Sequence, residues 1–353
     1  MAEERLIDRT KEQQLEFVRS FWPSLDDDAF QHEHYTRFLK FIDRQMSRTR
    51  EYPGGYSEQT LDGVAEYIRH LRENLALRKI DLVENYNQEV SRTLDLAATI
   101  WLTILVDTET TSHSIIWNNQ NTIEQVILPG FSTAIINNDT NDMRRDMIPP
   151  SLTMAYLCRR YGFTVAWTDD LRYHLNIDWE NHKITVYEHL IYLSNYLFYP
   201  AASPIPTNIV EEAIDTINLL FPSDEKGTRK FLRARQRNFD RFGYCGRERR
   251  LHLSKYHHWR AKLKLLKEVM EGQAKGINQL MLHKERRNFL DWATFWVAVI
   301  VALLTIITSL AFGVVGIVYA VRSYEVGKQQ LDIAIAMACV DAETAARLPK
   351  YCP

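Results

Sequence analysis

DWATFWVAVIVALLTIITSLAFGVVGIVYAVRS, residues 291–323, decides the fold class before any other stretch does. From Trp292 to Val321 run 30 consecutive residues without Asp, Glu, Lys, Arg or His, well past the roughly 18 to 20 that mark a membrane-spanning helix. Such a helix is about 45 Å long against a hydrocarbon layer of about 30 Å, so its ends lie among headgroups or it tilts. Trp292, Phe295 and Trp296 at one end, with Tyr319 and Tyr324 at the other, stand where interfacial aromatic belts put them. FGVVG at 312–316 carries no polar turn residue, and the apolar pieces beside it are too short to cross separately. One transmembrane helix over 291–322 is predicted.

Lys275, Lys284, Arg286 and Arg287 precede the span, whereas Arg322 and Lys328 follow it closely. Positive residues favour the cytoplasmic side, which predicts a single-pass protein with a cytosolic N-terminal part and a short translocated tail over 323–353. The organelle, endomembrane or plasma membrane, is left open. MAEERLIDRTKEQQ at the start has no apolar segment of the kind a secretory signal needs.

The net charge of −2 hides a segregation. Residues 1–228 carry 21 basic and 35 acidic side chains, residues 229–287 carry 18 and 5, and the remainder 4 and 5. TRKFLRARQRNFDRFGYCGRERR, beginning at Thr228, holds nine Lys or Arg and two acids. A basic cluster beside a span attracts anionic headgroups by about 1 kcal/mol per residue. Arg233, Arg235, Arg237, Arg241, Arg247, Arg249 and Arg250 are the predicted lipid contacts. Pairing of these charges with the acidic N-terminal part is the equally weighted alternative. A nucleic-acid partner is not expected at a membrane-tethered address.

Periodicity and turn signals divide the chain into an N-terminal helical region (1–90), a helical core with a small α/β element (91–228), basic amphipathic juxtamembrane helices (229–290), the span and the tail. LDLAATIWLTILV from Leu94 is apolar all round but short, which predicts a buried core helix. NNDTNDMRRD from Asn137 predicts a surface loop, and Asn138 opens an N-x-T sequon. SLTMAYLCRRYG predicts a capped helix closed by Gly162, FTVAW a strand, TDDLRYHL a short helix and KITVYEH another strand. Thr207 is the expected cap of IPTNIVEEAIDTINLLFP. HLSKYHHWRAKLKLLKEVME, from His252, predicts an amphipathic helix with Leu253, Trp259, Leu263, Leu266 and Met270 near one face. The fold class is therefore mainly α: a helical cytosolic domain with a small α/β element, then one C-terminal transmembrane helix.

Candidate chemistry is sparse. In WTDDLRYHL, Thr168 is placed to cap a helix, and Asp170 and His174 are four apart, which puts a carboxylate beside an imidazole on one helical face. Acids at a helix N-terminus also follow from the helix dipole alone. HEH at 32–34 and HLSKYHH at 252–258 match no zinc-ligand spacing, so no metal and no cofactor is expected. No Walker loop, GxGxxG, GxSxG or kinase set occurs. Cys158 and Cys245 stand alone and are expected reduced, whereas Cys339 and Cys352 fall in the tail, where an oxidising lumen allows either a bridge or two separate thiols. Thr305, Ser309 and Gly313 form a small-residue stripe that predicts helix–helix contact and a homo-oligomer.

LDLAATIWLTI, LTMAYLCRRYGFTVAWTDDLRYHL, FGYCGRERR followed by YHHWRAKLKLLKEV, and DWATFWVAVIVALLTI together resemble a large uncharacterised family of single-span membrane proteins of filamentous fungi. The resemblance covers about residues 90–321, rests on a WTD-x-L-x-x-HL motif and a TFW-type span, and has Asp169 and His174 at its matching positions. Asn is more usual there at the position of Asp170, and the family lends none of these residues a role. A weaker likeness is to CorA-class magnesium channels, whose Gly-Met-Asn signature and second span this chain lacks. The expectation is a membrane-anchored accessory or scaffold protein without catalysis of its own, binding anionic lipids and an unidentified protein partner. An oligomeric channel and a membrane-bound enzyme of fungal specialised metabolism, with Asp169 and His174 as its candidate catalytic residues, are the alternatives.

Overall fold

The computed structural model describes residues 5–52, 54–83, 85–107, 114–131, 146–199, 201–237, 239–271, 289–340 and 350, with backbone alone at 240–242 and 289–292. The predicted loop at Asn137 with its sequon, and the turn at Gly272–Gly276, lie outside them. The chain divides into two compact units, Met1–Asn278 and Gln279–Pro353.

The first unit is mainly helical, as its 3.6-residue periodicity dictates. Helices α1 (Lys11–Arg19), α2 (His32–Glu51), α3 (Leu61–Glu73) and α4 (Gln88–Leu102) come first. Thr10 caps α1 in a reciprocal box with Gln13, Thr60 caps α3 and Asn87 caps α4, each side chain satisfying an amide the first turn leaves open. The all-apolar segment from Leu94 is buried in α4, which packs on α2 and α3. Its ion pair with the segment before it is also buried: Lys79 Nζ lies 2.5 Å from Asp95 Oδ1.

Two short parallel strands, β1 (Val106–Asp107) and β2 (Ile115–Ile116), and a short helix α5 (Ile123–Ile127) lead to α6 (Met154–Tyr161). Thr153 caps α6, and Gly162 closes it at φ 74°, a left-handed conformation that favours glycine. A three-stranded sheet of order β3-β5-β4 follows, with β3 (Thr164–Thr168), β4 (Ile177–Asp178) and β5 (Lys183–Tyr187). β3 runs parallel to β5 and β4 antiparallel to it. Helix α7 (Leu190–Phe198) leaves the end of β5 and packs on α2 and on α8 (Thr207–Leu220). Pro206, not Thr207, stands at the cap position of α8: its ψ of 141° is extended, and Thr207 is already the first helical residue. Helices α9 (Lys226–Ala234) and α10 (Arg260–Glu271) complete the unit.

Leu253, Trp259, Leu263, Leu266 and Met270 are buried as predicted, but the helix begins only at Arg260. Glu212 explains the late start: its carboxylate accepts the amides of His257 and Trp259, each at 2.7 Å, and so fixes the chain outside helical geometry until then. Cys158 and Cys245 are free thiols in this unit, and burial pushes Cys158 up to about 11.

The second unit is one helix, α11 (Phe289–Val340). Its stretch Ala293–Val340, 48 residues, is long and apolar enough to cross a membrane, and none of its most apolar window is buried. It continues past Arg322, where the span was expected to end, through SYEVGKQQLDIAIAMACV without a proline to stop it. At about 1.5 Å per residue it is about 72 Å long, more than twice the hydrocarbon layer of about 30 Å. Cys339 is disulfide-bonded, and Cys352, which was left open as either its partner or a separate thiol, lies outside the described residues.

Candidate functional site

β3 and β5 are paired in register up to Thr168 and Tyr187, so the residues that follow them emerge side by side. The Glu188 amide donates to the Thr168 carbonyl at 3.0 Å and extends the ladder by one rung. Asp169, Glu188 and His189 are thereby gathered at the carboxyl ends of two parallel strands, the edge where open α/β sheets place ligands. One ligand-capable atom from each lies within 4.8 Å of the others.

What surrounds them sets what they do. His189 Nε2 donates to Asp169 Oδ1 at 2.7 Å, and Arg44 of α2 reaches Asp169 Oδ2 at 2.6 Å. Glu188 Oε2 faces Arg237 at 2.9 Å and Arg37 of α2 at 3.6 Å, while the Arg237 guanidinium stacks over Trp167 at 4.5 Å. Burial alone raises Asp169, but the bond and charge of His189 and the charge of Arg44 bring it below the usual carboxylate range. Burial likewise raises Glu188, and there the neighbouring Asp169 charge helps keep it raised against His189 and Arg37. The His189 ring packs against Phe38, Phe41 and Tyr187, with Nδ1 buried and without a hydrogen-bond partner among the described residues.

A resident divalent ion fits this set poorly. Asp169 Oδ2 and Glu188 Oε2 already face guanidinium groups, and an ion there would have to displace them and sit beside three fixed positive charges. The cluster instead clamps α2 and the segment after α9 to the sheet. Beside it lies a pocket of about 220 Å³ whose walls include Gln45, Thr103, Asp169, Asp170 and Tyr173.

Asp170 and His174 do not form the pair their spacing predicted. TDDLRYHL makes only a three-residue 3₁₀ turn, Leu171–Tyr173, capped by Asp170 rather than Thr168. The tighter 3₁₀ winding does not bring residues four apart onto one face. Asp170 accepts the Arg172 amide at 2.9 Å and binds the Arg172 side chain through both oxygens. His174 is fully buried elsewhere: Nδ1 accepts the Tyr187 amide at 3.2 Å and Nε2 donates to Thr216 Oγ1 at 2.7 Å. Its carbonyl accepts Trp259 Nε1 at 3.1 Å and Lys262 Nζ at 2.9 Å. Burial, helped by the Lys262 charge, lowers the His174 imidazole to about 3, so the ring stays neutral and ties β5 to α8, while the residue's carbonyl holds α10.

The basic block divides. Arg247 binds Asp215 of α8 through two hydrogen bonds at 2.7 and 2.9 Å, and Arg250 reaches the same carboxylate at 2.8 Å. Arg249 donates to the carbonyls of Leu219 and Leu152. With Arg237 on Glu188, four of the seven arginines singled out for headgroups thus contact the first unit itself. Arg233 and Arg235 are exposed, and the Arg241 side chain lies outside the described atoms. Thr305, Ser309 and Gly313 are exposed on α11, with Thr305 Oγ1 donating back to the Val301 carbonyl.

Glu188, His189, Arg37 and Arg44 escaped the sequence reading, and Arg237 entered it only as a headgroup contact. Their trace was there in two strand-like runs, FTVAWTD and KITVYEH, each ending in acid or imidazole, but only the parallel pairing makes those ends neighbours. The chain matches no family model, no curated protein and no solved structure.

Proposed function

We propose that the chain is a membrane-anchored interaction or scaffold protein, without catalysis of its own, in which α11 holds the folded unit at a bilayer. The observation that carries this is the exposed 48-residue apolar helix in the same chain as a unit with a full hydrophobic core. The acid–imidazole cluster at the strand ends supports the non-catalytic part, because its carboxylates face arginines and its imidazole is sealed among aromatic rings.

The folded unit lies in the cytosol and the end of α11 across the membrane. The basic residues before the span favour that orientation. So does the cysteine chemistry, with free thiols in the first unit and a disulfide at Cys339, as a reducing and an oxidising side respectively produce.

The test is complementation of a deletion strain. Asp169→Asn and His189→Gln, checked for folding, are expected to restore its phenotype, whereas a chain cut after residue 278 is not. Loss of function in the two folded variants would return the cluster to catalysis, and rescue by the truncated chain would remove the anchor from the function. Resistance to carbonate extraction and protease digestion of the first unit in intact microsomes check anchoring and orientation separately.

A further inference from the structure

Helix α9 carries a face the rest of the fold does not use. Thr228 and Leu232 are buried, and Phe231 packs on Phe221 with ring centroids 6.2 Å apart. Lys226, Arg229, Lys230 and Arg233 stand at i, i+3, i+4 and i+7, which places all four on the opposite face. They line a shallow groove of about 420 Å³ together with Ala234. Lys226, Lys230 and Arg233 are exposed and Arg229 is half-buried.

Arginines only a few residues further on are bound by Glu188, Asp215 and main-chain carbonyls. Among the described residues, none of the four on α9 makes an ion pair. Glu225, just before the helix, takes a hydrogen bond from Thr228 Oγ1 on the buried side. Like charges one turn apart repel, and since among the described residues no ion pair offsets this face, an anionic surface does.

We infer that the Lys226–Arg229–Lys230–Arg233 face of α9 docks on anionic lipid headgroups, setting how the folded unit rests on its membrane. This rests on the membrane-anchored reading, keeps Arg233 of the seven predicted arginines and replaces the other six with Lys226, Arg229 and Lys230 of α9. Several negative groups spread over a plane match four cations in a row along one helix, which favours a lipid surface over a single soluble phosphate.

The test uses the full chain in nanodiscs of phosphatidylcholine, alone or with about 30 % phosphatidylserine. Amine acetylation of Lys226 and Lys230 is read by mass spectrometry, with exposed Lys40 of α2 as the internal reference. Labelling of Lys226 and Lys230 is expected to slow at least about fivefold in the anionic discs and to recover in high salt. In a second variant, Arg229→Glu with Arg233→Glu, the two lysines are expected to label equally in both discs. Equal labelling in the unaltered chain overturns the proposal, as does equal protection by inorganic phosphate with neutral discs. A chain that never incorporates into discs and is extracted by carbonate instead fails the anchoring reading, a result distinct from either.

Discussion

His174 and His189 are both buried, both lie close to β5, and behave as opposites. His174 is held by uncharged groups: a backbone amide on Nδ1 and a threonine hydroxyl on Nε2. His189 donates a hydrogen bond from Nε2 to a carboxylate that also binds an arginine, and its other nitrogen has no hydrogen-bond partner among the described residues. The first arrangement is a dry hydrogen-bond hub, whose strength lies in every polar group being satisfied within a low-dielectric interior. The second is an ionic clamp at a half-open edge, where water and salt share the carboxylate with the protein. Burial of a histidine therefore says little by itself, and the character of its partners decides its role.

The largest effect expected from breaking this contrast is at the hub. His174→Ala removes both ring partners at once and leaves the Tyr187 amide buried and unsatisfied beside a cavity, at a cost of about 3 to 5 kcal/mol. Denaturant unfolding of the full chain in detergent, followed by tryptophan emission, measures it. A loss below about 1 kcal/mol would mean that the ring does not fasten β5 to α8 through the Tyr187 amide and Thr216.

Acid sharpens the comparison next. His174 titrates at about 3 in the folded chain against an ordinary 6.5, so between these values the unfolded chain binds more protons. Its contribution is full above about pH 6.5 and is lost as pH falls, at a slope approaching about 1.4 kcal/mol per unit, or about 2 kcal/mol between pH 6.5 and 5. Asp169 is depressed too, but from a carboxylate value, so its loss begins only at more acid pH. Glu188 is raised and acts in the reverse sense, contributing below its ordinary value and losing that contribution as pH rises. The midpoint difference between the unaltered chain and His174→Gln is expected to shrink from pH 7 to pH 5. A constant difference would place the titration elsewhere.

The helices were legible because their signals are local. Gly162 marks an end, and Leu94 to Leu102 is apolar but for Asp95 and Thr99. The exposed helix from Ala293 was equally plain, although its continuation to Val340 was not, since nothing in SYEVGKQQL distinguishes a helical tail from a loop. The site was not legible for a geometric reason. Asp169 and His189 are twenty residues apart and meet only because β3 and β5 are parallel, and Arg44 arrives from α2 and Arg237 from the segment after α9, which no spacing rule links to them. Where the sequence did offer a local rule, the four-residue interval between Asp170 and His174, a three-residue turn made it void.

At the clamp itself, Asp169→Asn keeps the side-chain shape and removes the charge that His189 and Arg44 share. The expected loss is about 1 to 2 kcal/mol, below that of His174→Ala, because solvent reaches the edge and replaces part of the interaction. A larger loss than at His174 would invert the comparison and make the ionic cluster the main fastening of α2 to the sheet.

The smallest effect, and the one most specific to an ionic clamp, is expected from Arg44→Gln. The Arg44 side chain is 59 % exposed, so its pair with Asp169 works in high dielectric and contributes less than about 1 kcal/mol. The His189 bond survives the change, which leaves Asp169 with one good partner. The difference in midpoint from the unaltered chain is expected at low ionic strength and to vanish near about 0.5 M salt, where the screening length falls to a few ångströms. His174→Ala, by contrast, is expected to cost nearly the same at both salt concentrations, since uncharged groups hold the ring and the Lys262 charge near it is half-buried. A salt-insensitive loss above about 2 kcal/mol for Arg44→Gln would show that the strand-end cluster is closed to solvent, and would remove the distinction between the two histidines.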